Sequence, residues 1–240
     1  MKILGIDISS KSTGWGLLED DKLIDFGKIN PTGTMSQAQK LLLFDVELNK
    51  IINKCEPDEI AIEDVVQVRS VSVTKILARF NGIAIKTAYA YTKKDPTLVE
   101  PSKWKKVLDG CNGSAKKAEI QLSVCRVYNL LDADKISYYE AKIESATLEL
   151  TRNIDDANIT QMRKDIGKAK RKKDSNLKKM QSVLAELVGA RDKLKKGNKK
   201  TFAMLMTTIS TEIYADCGLN EDEADAIGVA NYLNKFIKGE

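Results

Sequence analysis

The chain reads as an α/β protein: one mixed sheet flanked by helices, with an antiparallel helical hairpin or coiled coil inserted late in the sequence. Three observations predict this. Short β-rich runs alternate with long amphipathic stretches through the first half. A proline-free tract from Ile136 to Lys200 keeps its apolar residues mostly at three- and four-residue steps. Carboxylates stand where apolar elements begin or end: Asp7 in KILGIDISSKSTGWGLLE, Glu63 in DEIAIEDV, and Asp222 with Asp225 in NEDEADAIGVANYL.

The elements follow in order. Residues 2–7, 13–18 and 23–29 read as three strands joined by tight turns, the second turn being polar at Glu19–Lys22, so an antiparallel meander is expected. A helical stripe over 35–55 uses Leu41, Phe44, Leu48, Ile51 and Ile52. Residues 60–65 form a fourth strand, apolar up to Glu63. A long helix spans 71–91, and a short strand covers 98–101. Ser102 caps a helix that stops at Gly110, and Ser114 caps another from Ala115 to Leu131. The hairpin then takes over, with its reversal placed near Lys170–Ser175 and Asn153–Asp156 as the second choice. Arms of about 25–35 residues would project about 35–50 Å. Globular patterning resumes at Phe202, and a last helix runs from Glu221 to Lys238 with Asn220 and Glu223 placed for a capping box. The division is therefore 1–135 with 201–240 as the core and 136–200 as the insertion.

Composition narrows the chemistry. No histidine occurs, which excludes Ser/His and Cys/His catalysis, a histidine base and most zinc sites. The four cysteines never form CxxC and are expected as free thiols. No apolar run reaches eighteen residues and no secretory leader is visible, so a cytoplasmic protein without a membrane span is expected. Trp15 and Trp104 are expected in the core. The net charge of +5 is unevenly spread: residues 161–200 carry +11, leaving −6 for the rest. A basic segment on an acidic body suggests that one part contacts a polyanion, although a solvated coiled-coil face and a partner- or dimer-docking arm stay open.

Unpaired carboxylates at the ends of buried elements are costly, and hard divalent cations such as Mg²⁺ offset that cost by gathering them. Two metals held so can clamp the attacking and leaving oxygens of a phosphodiester. The order meander–helix–strand–helix, with acids on the first and fourth strands and on a late helix, describes an RNase H-like layered fold. Asp222 and Asp225 are three residues apart and share a face of that helix.

On these residues the chain resembles the RuvC family of Holliday-junction resolvases, particularly its phage-type members. GIDISSKSTGWG, IAIEDV and DEADAIGVA match the opening, second and closing motifs, over about residues 1–130 and 205–238. The resemblance implies a structure-selective endonuclease nicking four-way junctions symmetrically, working as a homodimer through the 71–91 helix. It implies two Mg²⁺ or Mn²⁺ per site on Asp7, Glu63, Asp222 and Asp225, with Lys117 close to the scissile phosphate. Lys116, Lys117, Lys170, Arg171, Lys172 and Lys173 are candidate DNA contacts. Departures are Ile8, Ser9 and Ser10 where the family usually has glycine, and Val66 where many members carry an aromatic residue at the junction centre. A broader branched-DNA nuclease, an actin-like ATPase using the same strand–turn–strand opening, and a non-catalytic architectural protein remain as alternatives. The hairpin has no counterpart in the compact bacterial enzymes and could carry a protein partner.

Overall fold

The computed structural model describes residues 1–65, 70–152, 154, 156–172 and 176–239. Its elements are β1 (Lys2–Asp7), β2 (Thr13–Glu19), β3 (Lys22–Ile29), α1 (Gln37–Cys55), β4 (Glu59–Glu63), α2 (Val71–Thr92), β5 (Thr97–Val99), α3 (Pro101–Lys106), α4 (Lys117–Val127), α5 (Ala133–Leu148), α6 (Ala157–Lys172), α7 (Leu177–Cys217) and α8 (Glu221–Lys238). The chain divides into two compact units, Met1–Tyr139 with Ser210–Glu240, and Glu140–Ile209.

The first unit is built on a five-stranded sheet of order β3-β2-β1-β4-β5. β1, β2 and β3 pair antiparallel, whereas β4 and β5 join parallel to β1. This is the RNase H-like arrangement. The β2–β3 turn is tight because Asp20 and Asp21 both adopt positive φ, which aspartate tolerates and the twist of a two-residue hairpin favours.

Side chains alternate between the two faces of a strand, and the alternation sorts this sheet. Leu4, Ile6, Trp15, Leu17, Ile60 and Ile62 lie in one core with Phe44, Leu48 and Ile52 of α1 and Phe80 and Ala84 of α2. Phe44 and Phe80 meet edge-on with centroids 5.2 Å apart, worth about 0.5–1.5 kcal/mol beyond their buried area. The alternate positions, Gly5, Asp7, Gly14, Gly16, Ala61 and Glu63, belong to the other face. There α8 lies so close that a Cβ on Gly14 would sit 1.9 Å from the Asp222 carbonyl oxygen. One on Gly5 would sit 2.1 Å from that of Ala226, and one on Gly16 2.5 Å from Ile227. Asn220 and Glu223 start α8 with the expected capping box, each side chain accepting the other's backbone N–H.

Several boundaries differ from expectation. α3 begins at Pro101 after an extended Glu100, so Ser102 is inside the helix and Pro101 opens it, where its missing N–H costs nothing. α4 begins at Lys117 rather than Ala115: the Lys116 N–H is taken by the Glu119 carboxylate, and Ser114 instead donates its N–H to Asn112. The expected two-armed hairpin is three helices. α5 stops at Leu148 and α6 starts at Ala157, although Leu150 and Ile154 keep the apolar spacing between them. α7 runs unbroken through Phe202, because Phe202, Met206, Ile209 and Ile213 continue one helical stripe. Of the expected reversal at 170–175, α6 ends at Lys172, and residues 173–175 lie outside the described residues, as does Val66. Cys125 and Cys217, far apart in sequence, meet as free thiols with sulfurs 3.3 Å apart.

Within the second unit, the buried side of α6 carries Ile159 and Ile166. Asp156, just before α6, is held by Arg191 and Lys195 of α7. Asn198 of α7 donates to the Arg152 carbonyl at 2.8 Å.

A Gly14→Ala substitution is expected to destabilise the protein by about 1–3 kcal/mol, read as a fall in the urea midpoint, since α8 must move away from the sheet. Gly189→Ala, in the interior of α7 with open space around it, is expected to be neutral or to stabilise by up to about 1 kcal/mol.

Candidate active site

β1 and β4 run parallel in register, Ile6 opposite Ile62, so Asp7 and Glu63 leave the same ends of neighbouring strands on the same face. Asp7 is also the cross-strand partner of Gly14, the residue over which the Asp222 backbone is seated. One helical turn further, Asp225 faces the same place. The sheet thus brings together three segments spread over more than two hundred residues of sequence.

Electrostatics show how closely the four acids are coupled. Asp7 is 8 % exposed, and its carboxyl is held well above the usual carboxylate range. Burial is the main cause, followed by the hydrogen bond and the charge of Glu63, then Asp225 and Asp222. Asp225 is pushed up to about 7 by burial and by Glu63, while Lys105 and Lys117 pull it back. Asp225 keeps one edge toward solvent, yet its Oδ1 is enclosed and meets no hydrogen-bond donor.

Four hard oxygen donors, one with a buried orphan atom, suit a divalent cation of the Mg²⁺ class. Among the described residues no three acidic or thiol groups already converge on one point as metal ligands would.

Trp104 supports this cluster. It is fully buried, its Nε1–H donates to Glu63 Oε1 at 3.0 Å, and its ring fills the space beside Gly228, where a Cβ would come within 2.7 Å. It therefore links the β4 acid to the helix bearing Asp222 and Asp225. Lys105 lies over the same ring, 5.2 Å from its centroid. Lys117 opens α4 and its Nζ pairs with Glu221, immediately before Asp222; burial opposes its charge, but Glu221, Asp222 and Asp225 together raise its pKa. Ser210 donates to Glu221 from the other side.

Trp104, Lys105 and Glu221 were not among the expected site residues. The run KWKK after Pro101 is a local signal for the first two, whereas the Lys117–Glu221 pair spans 104 positions and has none. Lys116, at the start of α4, is exposed, as are Lys170 and Arg171 in the second unit. Lys172 ends α6, and Lys173 lies outside the described residues.

The segment after Asp7 makes its turn without glycine. Ser9 N–H donates to Thr13 Oγ1, and the N–H groups of Lys11 and Ser12 donate to Ser9 Oγ. None of residues 8–12 needs positive φ. Those backbone donors are therefore engaged by side chains, which disfavours a phosphate-cradling loop of the ATPase kind.

Sheet order defines an RNase H-like fold, with acids gathered at the ends of its central strands. The family model for crossover junction endodeoxyribonuclease RuvC matches residues 3–141. The chain belongs to the RuvC family. The RuvC of Alkaliphilus metalliredigens is 28% identical over 139 residues, covering 56% of this chain and 84% of that protein. That of Ruminiclostridium cellulolyticum is 30% identical over 134 residues, covering 54% and 80%. The solved structure of T. thermophilus RuvC in complex with Holliday junction substrate is similar with a TM-score of 0.48 at 16% identity, over 55% of this chain and 82% of that one. The matched family span ends before α8, so Asp222 and Asp225 join the site through the packing described above. Among the described residues no helix is long and apolar enough to cross a membrane.

Two outcomes are expected. Trp104→Phe keeps the apolar plug but strands Glu63, costing about 1–3 kcal/mol, whereas Trp104→Ala also opens a cavity and costs about 3–5; urea midpoints compare them. For pH, Asp225 has a raised folded-state pKa, so the metal-free fold binds the extra proton between about pH 4 and 7 and loses that stability as pH rises through this window. Asp225→Asn removes this dependence. The variant should gain on the wild type with rising pH in chelator, by a few kcal/mol at most at about 1.4 per unit.

Proposed function

We propose that this chain is a structure-selective endodeoxyribonuclease that resolves four-way (Holliday) junctions by paired, symmetric nicks. The observation that carries the reading is the coupled cluster of Asp7, Glu63, Asp222 and Asp225 in a chain of the RuvC family. Those four carboxylates hold the divalent cation on which this chemistry depends. When bound, Mg²⁺ or Mn²⁺, two per site, would supply the activated water and the charge that the departing 3′ oxygen requires. With no histidine in the chain, no imidazole shares the proton transfers.

The remaining side chains act by position and charge. Trp104 fixes the Glu63 carboxylate through its N–H and keeps water out behind it. Lys117, already turned toward the acids, exchanges Glu221 for a phosphate oxygen when DNA arrives, and Lys116 adds charge at the rim. Lys105 limits the mutual repulsion felt by Asp225. Lys170, Arg171, Lys172 and Lys173 contribute basic charge in the second unit.

A two-fold symmetric substrate is matched by a two-fold symmetric enzyme, so the working form is a homodimer. α2 is the proposed interface, because it leaves Val71 and Val73 exposed at one end and Tyr89 at the other.

The test is cleavage of end-labelled four-way junction, fork and linear duplex in Mg²⁺. Wild type should place paired nicks in the junction. Asp7→Asn and Asp225→Asn should each lose at least about a thousand-fold, the scale of several kcal/mol of transition-state stabilisation, while remaining folded and junction-bound. Nicking retained in both variants would sink the site assignment, and equal cutting of forks and junctions would replace the resolvase reading with a broader debranching nuclease.

A further inference from the structure

The second unit carries exposed acids such as Glu186 and Asp192, yet it also gathers a row of lysines along one side of α7. A solvated helix ordinarily mixes charges at i, i+3 and i, i+4, because opposite pairs stabilise by about 0.2–0.5 kcal/mol and like pairs destabilise by similar amounts. One stretch of α7 departs from this, the acid beside it, Asp192, being paired with Arg191 instead. Lys193, Lys196 and Lys200 follow one another at three- and four-residue steps, and all are exposed. Among the described residues none of the three has an ion-pair partner, while Arg191 and Lys195 beside them hold Asp156.

Helical phase separates these two sets. Leu184, Val188, Arg191, Lys195 and Asn198 are the less exposed positions and share one side of α7. The three lysines lie on the opposite side together with Gly189 and Gly197, both with open space where a Cβ would be. Glycine costs a helix interior about 1 kcal/mol relative to alanine, yet two of them flank this lysine row. The result is a smooth, cationic strip. From Lys193 to Lys200 it rises about 10 Å, a length over which duplex DNA offers a negative charge roughly every 1.7 Å of axis.

We propose that this outer face of α7 is a second DNA contact, gripping the phosphates of a duplex arm without reading bases. It rests on the reading that branched DNA is the substrate and adds an element outside the matched family span of residues 3–141. Neutralising phosphates releases condensed counterions, so the contact contributes to affinity in a strongly salt-dependent way.

The experiment measures binding of the full chain to labelled linear duplex and to a four-way junction, without divalent cation, across a salt series. Lys193→Gln/Lys196→Gln/Lys200→Gln should weaken both about tenfold near 100 mM salt and flatten the log–log salt slope by about 2–3. The corresponding triple arginine variant should keep the wild-type slope, and circular dichroism should show α-helix retained in both. An unchanged slope in the glutamine variant overturns the proposal and leaves the strip for an acidic protein partner. Equal losses in the arginine variant also overturn it, since charge would then not be the cause. Duplex binding needs no cutting, so failure here is distinct from failure of the wild type to nick junctions.

Discussion

Backbone contact between α8 and the first two strands is the constraint on which the rest depends. A helix can lie this close to a sheet only where side chains vanish, and Gly5, Gly14 and Gly16 remove them on alternate positions of one face. The same alternation that puts glycines under α8 puts Asp7 and Glu63 beside it. Site and packing are therefore a single geometric solution: the helix carrying Asp222 and Asp225 is docked on β1, which ends in Asp7, and on β2, while Glu63 stands at the end of the neighbouring β4.

That solution concentrates negative charge in a place with little water. Burial drives the Asp7 and Asp225 carboxyls toward their protonated forms, and the neighbouring acids reinforce the shift. The molecule tempers this from its edges rather than its centre. Trp104 donates from the core side, Lys105 acts along the aromatic ring, and Lys117 is held at the rim by Glu221. Among the described residues, Asp7, Glu63, Asp222 and Asp225 have no salt bridge to a lysine or arginine.

Much of this was legible in the sequence, for identifiable reasons. The meander, α1, β4, α2 and α8 announce themselves by strong periodicity, and a carboxylate straight after the apolar run Ile60–Ile62 is conspicuous. The capping box at Asn220 is a local code and was readable as such. Long-range partners were not. Trp104 is a plausible core residue from its neighbours alone, and nothing near it in sequence reveals that its N–H meets Glu63. The two sulfurs of Cys125 and Cys217 likewise meet only through the fold. The α5–α6 break spans Asn153–Asp156, the second choice for the reversal; it ranked second because Leu150 and Ile154 keep the helical spacing there, whereas apolar residues vanish at 170–175. The continuity of α7 past Phe202 was missed because the richer apolar content from Phe202 onward reads as a new element, although it prolongs the same helix.

The order of segments along the chain has a consequence in time. Asp7 and Glu63 lie early in the polypeptide, but Asp222 and Asp225 follow the whole of the second unit. Ribosomes add about 5–20 residues per second, so the strands wait roughly ten seconds or more for the helix that completes their acidic cluster. During that interval the glycine face of the sheet is uncovered and the half-site holds only two carboxylates. Topology thus leaves the proposed site incomplete until α8 is made, after the basic second unit has already been synthesised.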